Sequence, residues 1–211
     1  MVLGLDEAGR GPWAGPVTAA AAWINPCAIT ELPPGLNDSK KLSRAKREEV
    51  FAALAAMPEQ KFRYAVVSIS AEQIDALGIL PATFRAMDKA ACQVMDRFSP
   101  DDRTHLLVDG SLAPPFDGMR KRQHHPLGIQ AVIKGDQRSL SIAAASIMAK
   151  ETRDLEMTRL DHMHPGYDWA SNMGYGTASH QHGLATQGPT QHHRFTYKPV
   201  AEVAAKFGTT R

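Results

Sequence analysis

Apolar and polar positions along this chain alternate between two periods. Short apolar runs at residues 2–5, 17–24 and 63–69 read as strands, and a proline-rich loop follows the second. Between and after them the spacing turns helical. Ser43 opens a helix to about Ala56, and Ser70-Ala71-Glu72-Gln73 is a capping box for a short helix stopped at Gly78. Phe84, Met87, Ala91, Val94 and Phe98 then recur at helical steps behind Pro81, a stripe that a buried helix face explains in full. Leu106-Leu107-Val108 forms a strand ending at Asp109-Gly110. Residues 130–133 form another before Lys134-Gly135-Asp136, and an alanine-rich helix runs from about Ser139 to His162. Strands alternating with helices predict an α/β layered domain, and no internal repeat interrupts the pattern.

Composition bounds the rest. A chain of 211 residues, 43% hydrophobic, can bury one sizeable core, and no linker-like tract divides it. A single domain over residues 1–211 is expected, with about 165–211 as a small C-terminal appendage. The run from Val17 to Ile24 is too short to span a membrane, and no charged n-region precedes an h-region, so a soluble, unexported, cytoplasmic protein is expected. Cys27 and Cys92 stand far apart and read as buried free thiols. A net charge of +2 does not by itself mark a nucleic-acid binder. Two local clusters could contact phosphates: Lys40, Lys41, Arg44, Lys46 and Arg47, and Arg120, Lys121, Arg122, His124 and His125. A solvated helix face balanced by Glu48 and Glu49 is the simpler account of these charges taken alone.

Candidate chemistry concentrates where strands end. Asp6 and Glu7 are adjacent carboxylates after an apolar strand, followed at once by Gly9-Arg10-Gly11-Pro12. Neighbours on a strand point to opposite faces, so the two acids converge only if the strand ends or bends there, which the glycines permit. A solvated strand end beside a glycine turn would look the same. Asp109 and Asp136, however, also fall at or just past a strand terminus, each next to glycine. Strand ends are where sites assemble in open α/β sheets. Four carboxylates forced together repel, so the cluster calls for cations. Magnesium or manganese suits an all-oxygen donor set, and the missing Cys/His spacing argues against zinc.

These residues carry a resemblance to the bacterial ribonuclease HII (type 2 ribonuclease H) family. It runs through Asp6-Glu7-Ala8-Gly9-Arg10-Gly11-Pro12, Gly15-Pro16-Val17, Leu36-Asn37-Asp38-Ser39-Lys40-Lys41-Leu42, Val108-Asp109-Gly110, Lys134-Gly135-Asp136, the segment Ser139 to Lys150, Gly174-Tyr175-Gly176-Thr177 and Gly188-Pro189-Thr190. It spans Met1 to about Val200. The resemblance implies a ribonuclease H-like mixed sheet flanked by helices, with a small helical C-terminal region. It implies cleavage of the RNA strand of RNA/DNA hybrids and cleavage 5′ of ribonucleotides embedded in duplex DNA, and with it ribonucleotide excision repair. Asp6, Glu7, Asp109 and Asp136 match the family's metal ligands, which hold two Mn2+ or Mg2+ ions for in-line hydrolysis to 3′-hydroxyl and 5′-phosphate ends. Gly9-Arg10-Gly11 matches the loop whose backbone reads the ribose 2′-hydroxyl, and Tyr175 the tyrosine packed on the sugar at the RNA-to-DNA junction. Asn37, Ser39, Lys40, Lys41 and Ser139 are expected to hold flanking phosphates. The partners implied are the hybrid and the ribonucleotide-containing duplex, with no membrane and a monomeric chain.

Departures are local. Met173 stands where similar enzymes commonly carry lysine, and Gln191-His192-His193-Arg194-Phe195 keeps a His-Arg pair but not a second arginine. His162, His164, His180, His182, His192 and His193 fit no coherent ligand spacing and read as exposed or helix-end residues. Two rivals are a binding module that lost its chemistry and a resolvase-like junction cutter of the same fold. The four retained acids oppose the first, and the Gly-Arg-Gly loop would have no task in the second.

Overall fold

The computed structural model describes residues 1–36 and 42–210. Its sheet has five strands in the order β3-β2-β1-β4-β5, with β1 Val2–Ala8, β2 Val17–Ile24, β3 Phe62–Ile69, β4 His105–Asp109 and β5 Gly128–Val132. β1 runs antiparallel to β2 and parallel to β4, and β4 runs parallel to β5, so the sheet is mixed as expected. Helices α1 Arg44–Ala55, α2 Ala71–Leu77, α3 Ile79–Met95, α4 Asp117–Arg120, α5 Leu140–Met163, α6 Trp169–Asn172, α7 Ala178–Gln187 and α8 Lys198–Phe207 complete the order. The chain divides into two compact units. Met1–Ala8, Thr18–Val67 and Phe84–Glu151 form the first, and Gly9–Val17, Ser68–Thr83 and Thr152–Arg211 form the second.

The first unit is built on small residues. β1 and β2 are inner strands, and Leu3, Leu5 and Ala19–Ala22 on them are wholly buried. Alanine there lets a helix come close. Ala20 and Ala22 share a core cluster with Ala143, Ala144, Ala145, Ile147, Met148 and Ala149 of α5. The approach is closest at Gly4, where an added Cβ would lie 2.1 Å from the Ser141 carbonyl carbon. At the sheet's end, Leu5 pairs with Val108. Asp6 and Asp109 are the next residues along the two strands.

β1 and α3 differ from expectation in extent. β1 continues through Asp6 and Glu7 to Ala8, because Asp6, Glu7 and Ala8 stay paired to Ala20, Ala19 and Thr18. The chain turns only at Gly9, whose φ is 89°. α3 starts ahead of Pro81, which costs no hydrogen bond because first-turn N–H groups have no helical partner. It stops at Met95, and Phe98 beyond it packs edge-on against Trp23 (5.0 Å) beneath the Arg63 guanidinium (4.2 Å). Cys92 is buried, whereas Cys27 is exposed in a 3-10 turn. Ser43 and Ser70 cap α1 and α2, accepting from Lys46 N–H and Gln73 N–H.

The second unit has its own core of Ala14, Met157, Leu160, Tyr167 and Trp169, with Met173 packed against it. Tyr167 and Trp169 stack at 4.9 Å. Within this unit Asp75 accepts from the N–H groups of Phe195 and Thr196 and from the Thr196 hydroxyl. α8 is a formed helix closed at Gly208.

Candidate active site

In the first unit, β1, β4 and the turn after β5 carry the four candidate acids. Asp6 is 7% exposed and Asp136 1% exposed, whereas Glu7 and Asp109 are half-buried. Burial pushes the Asp6 carboxyl up to about 7, helped by the charges of Glu7 and Asp109. Hydrogen bonds from the Ser146 hydroxyl and the Glu7 N–H (2.7 Å) work in the other direction. Asp109 Oδ1 accepts from the Gly135 N–H at 2.6 Å, and Gly135 opens the 3-10 turn that contains Asp136. Asp6, Glu7 and Asp109 thus share one electrostatic neighbourhood, and Asp136 follows directly on the residue that binds Asp109. Asp6 and Asp109 each accept from a backbone N–H, and no three His, Cys, Asp or Glu side chains among the described residues stand in ready-made ligating geometry. The donor chemistry nevertheless fits a hard divalent cation. Crowded carboxylates, one of them held back from ionising by burial and like charge, gain most from a bound positive charge.

Ser146 escaped the reading of the sequence. It sits in an alanine-rich helix, where a serine carries no local sign of function, and only the close packing of α5 on β1 brings it to Asp6. Ser139 precedes α5 as its N-cap. Its carbonyl accepts from Ala143 N–H, and its hydroxyl lies 3.0 Å from that of Ser141.

The second unit holds the glycine loop and Tyr175. Gly9 is obligatory. Its φ is positive, and an added Cβ would lie 1.9 Å from Arg153 Nε. Arg10 and Gly11 are exposed. A Cβ on Gly11 would meet Tyr175 Cε1 at 3.4 Å, so loop and tyrosine are neighbours, and the Tyr175 side is 52% exposed. Two buried arginines hold this loop from inside. Arg153 donates to the carbonyls of Pro16, Ala14 and Met173. Arg194 donates to those of Gly9, Arg10, Gly15 and Pro16. Burial and the neighbouring Arg194 charge bring the Arg153 guanidinium down to about 10, and burial lowers Arg194 as well. Met173, in the place of the family's common lysine, takes a left-handed conformation (φ 52°), packs on the unit's core and offers its carbonyl to Arg153.

Two histidines depart from expectation, whereas His162 and His182 are exposed. His180 and His193 are wholly buried, because α7 and the strand-like segment around His193 close over Trp169. The Trp169 indole donates to His180 Nε2 (3.1 Å), and His180 Nδ1 lies 2.9 Å from the Tyr175 carbonyl. His193 Nε2 lies 3.1 Å from His180 Nε2, while His193 Nδ1 receives the Thr190 N–H at 2.9 Å. An indole can only donate, which assigns the protons: His180 carries its own on Nδ1 and His193 on Nε2. Both rings are therefore neutral, and the chain of bonds ends on the backbone of Tyr175.

Of the basic clusters, Arg44 pairs with Glu48 (3.0 Å), Lys46 with Glu49 (2.7 Å), Arg47 with Glu151, Arg122 with Asp96 (3.1 Å) and His124 with Asp101 (2.9 Å). Arg120 of the second cluster donates instead to the Pro115 carbonyl (2.9 Å). Asn37, Ser39, Lys40 and Lys41 lie outside the described residues. No helix among the described residues is long and apolar enough to cross a membrane.

The ribonuclease HII family model matches residues 3–200. A ribonuclease HII of Jannaschia sp. (strain CCS1) is 48% identical over 206 residues, covering 96% of this chain and 92% of its own. The ribonuclease H2 of Pyrococcus horikoshii OT3 superposes with a TM-score of 0.73 at 24% identity over 99% of both chains. Bst-RNase HIII, solved in complex with Mn2+, gives 0.74 at 18% identity, over 97% of this chain and 69% of that one. Both structures share the fold. With the family model spanning nearly the whole chain and close relatives at full coverage, this chain belongs to the ribonuclease HII family, the endoribonucleases that cleave RNA in RNA/DNA hybrids and ribonucleotides embedded in DNA.

Proposed function

We propose that the reaction runs through Asp6, Glu7, Asp109 and Asp136 as ligands of two Mn2+ or Mg2+ ions, cutting 5′ of the ribonucleotide to leave 3′-hydroxyl and 5′-phosphate ends. The observation that carries this reading is the buried Asp6 carboxyl crowded by Glu7 and Asp109. Such crowding is costly for folding alone and useful for holding cations. When bound, the ions supply the Lewis acidity that activates the attacking water and steadies the departing 3′ oxygen. The chain's own part is orientation. Ser146 and the Glu7 N–H fix Asp6, and the Gly135 N–H fixes Asp109.

Recognition is assigned to other residues. The backbone of Gly9, Arg10 and Gly11 reads the 2′-hydroxyl, the one group that separates RNA from DNA, and glycine keeps side chains from holding the backbone off the sugar. Tyr175, exposed beside Gly11, packs on the sugar at the junction. Ser139 and the start of α5 hold a flanking phosphate, as do Asn37, Ser39, Lys40 and Lys41. The chain acts as a monomer in the cytoplasm on hybrid and on ribonucleotide-containing duplex.

A panel of RNA/DNA hybrid, duplex DNA with one ribonucleotide, and a four-way DNA junction, run with magnesium and then with manganese, tests the assignment. Cleavage of the first two, abolished by a chelator, is expected. Junction cleavage, or hydrolysis that survives chelation, refutes it.

A further inference from the structure

Arg194 is wholly buried, and a guanidinium taken out of water costs several kcal/mol unless its five donors are met in a fixed pattern. Here the partners are loop carbonyls. Nη2 donates to Gly9 O (2.6 Å) and Pro16 O (3.1 Å), Nε and Nη2 to Gly15 O, and Nη1 to Arg10 O (2.9 Å) and the Tyr197 hydroxyl (3.1 Å). Tyr197 passes its own proton to the same Arg10 carbonyl at 2.7 Å. Its ring lies against the guanidinium, 5.3 Å from carbon to centroid.

Peptide geometry gives this clamp a consequence on the far side of the loop. In a trans peptide the C=O of one residue and the N–H of the next point in opposite directions, and among the described residues every peptide is trans. Two donors draw the Arg10 carbonyl inward. The Gly11 N–H is then turned outward, at an exposed glycine whose Cβ position lies 3.4 Å from the exposed Tyr175 ring.

We propose that Arg194 and Tyr197 are positioning residues of this enzyme: by fixing the plane of the Arg10–Gly11 peptide they aim the Gly11 N–H at the substrate ribose and so set the preference for a 2′-hydroxyl. This rests on the loop reading given above. An apolar plug would fill the same space at lower desolvation cost. The fork of five donors is needed because several carbonyls must be held at defined angles at once.

Tyr197→Phe is the decisive variant, since the ring is kept at a partly exposed position and only the hydroxyl is lost. Three quantities are read on the full chain: kcat/KM on a duplex with one ribonucleotide, Kd for the same duplex made wholly of DNA, and the amide resonance of Gly11. Expected are a loss of roughly three- to tenfold in kcat/KM, the worth of one hydrogen bond, an all-DNA Kd within about twofold of the parent, and a shifted Gly11 amide. A residue that merely stabilises the fold would weaken both duplexes alike, and that result, or an unchanged kcat/KM, overturns the proposal. Gly11→Pro separates the two layers. It deletes the N–H itself, at a position before Pro12 that is already biased to the extended conformation proline takes. If Gly11→Pro, folded by circular dichroism, keeps its ribonucleotide preference, the loop reading fails and this proposal with it. If Gly11→Pro loses the preference and Tyr197→Phe does not, the loop reading stands and the positioning role falls.

Discussion

His193 offers a prediction whose size follows from the structure. Burial, reinforced by the facing rings of His180, His192 and His164, brings its pKa down to about 3, although Thr190 opposes the shift. An unfolded histidine titrates near 6.5. Between pH 6.5 and 3 the unfolded chain therefore binds a proton that the folded chain refuses, so stability is full above 6.5 and is lost as pH falls through that window. The slope is about 1.4 kcal/mol per pH unit, reaching about 3 kcal/mol at pH 4.5. Against a total stability of roughly 5 to 15 kcal/mol that is a large share. His180 is lowered as well, also by burial, and adds a contribution of the same sign. His193→Gln supplies the comparison, because an amide can donate to His180 Nε2 and accept from Thr190 N–H without titrating. Urea unfolding of parent and variant at steps from pH 7 to 4.5 should show the parent's advantage shrinking by about 1.4 kcal/mol per unit. Parallel curves across that range would show that the buried pair already holds a proton, and the neutral assignment would be wrong.

Asp109→Asn keeps an oxygen for the Gly135 N–H and removes a charge. Cleavage should fall by orders of magnitude while hybrid binding persists, and near-parent activity would remove Asp109 from the site. Asp136→Asn should be milder in the same assay if it holds a single ion. Tyr175→Ala should cost roughly 1 to 3 kcal/mol on a single embedded ribonucleotide, about ten- to a hundredfold in rate, and less on a long hybrid, which lacks the deoxyribose at the junction. Equal losses on the two substrates would make Tyr175 a general binding residue. Gly4→Ala drives a Cβ to 2.1 Å from helix backbone that cannot swing aside. A loss of at least about 1 to 3 kcal/mol is expected as a lower melting temperature, and an unchanged melt would refute the tight seating of α5 on β1.

The alternation of elements, their caps, and the acids and glycines at strand ends are legible in the chain alone. Ser43 and Ser70 announce their helices because a cap is a local bond between residues three apart, and the Asp-Glu-Ala-Gly-Arg-Gly run is contiguous. Those same local rules misjudged extents wherever a distant partner decided them. β1 runs past Leu5 because β2 keeps pairing with it, and α3 stops before Phe98 because that ring is taken up by Trp23 and Arg63. What surrounds the acids and the loop depends on packing between distant segments. Ser146 reaches Asp6 through the packing of a helix on a strand some 140 positions earlier in the chain. Arg153 and Arg194 meet the carbonyls of residues 9 to 16 from the far end of the sequence. His180 and His193, surface residues by composition, become a neutral pair because an indole and a backbone carbonyl use up their nitrogens. Such contacts join residues far apart in the chain, and many of them end on backbone carbonyls that every residue possesses, so no local spacing could have signalled them.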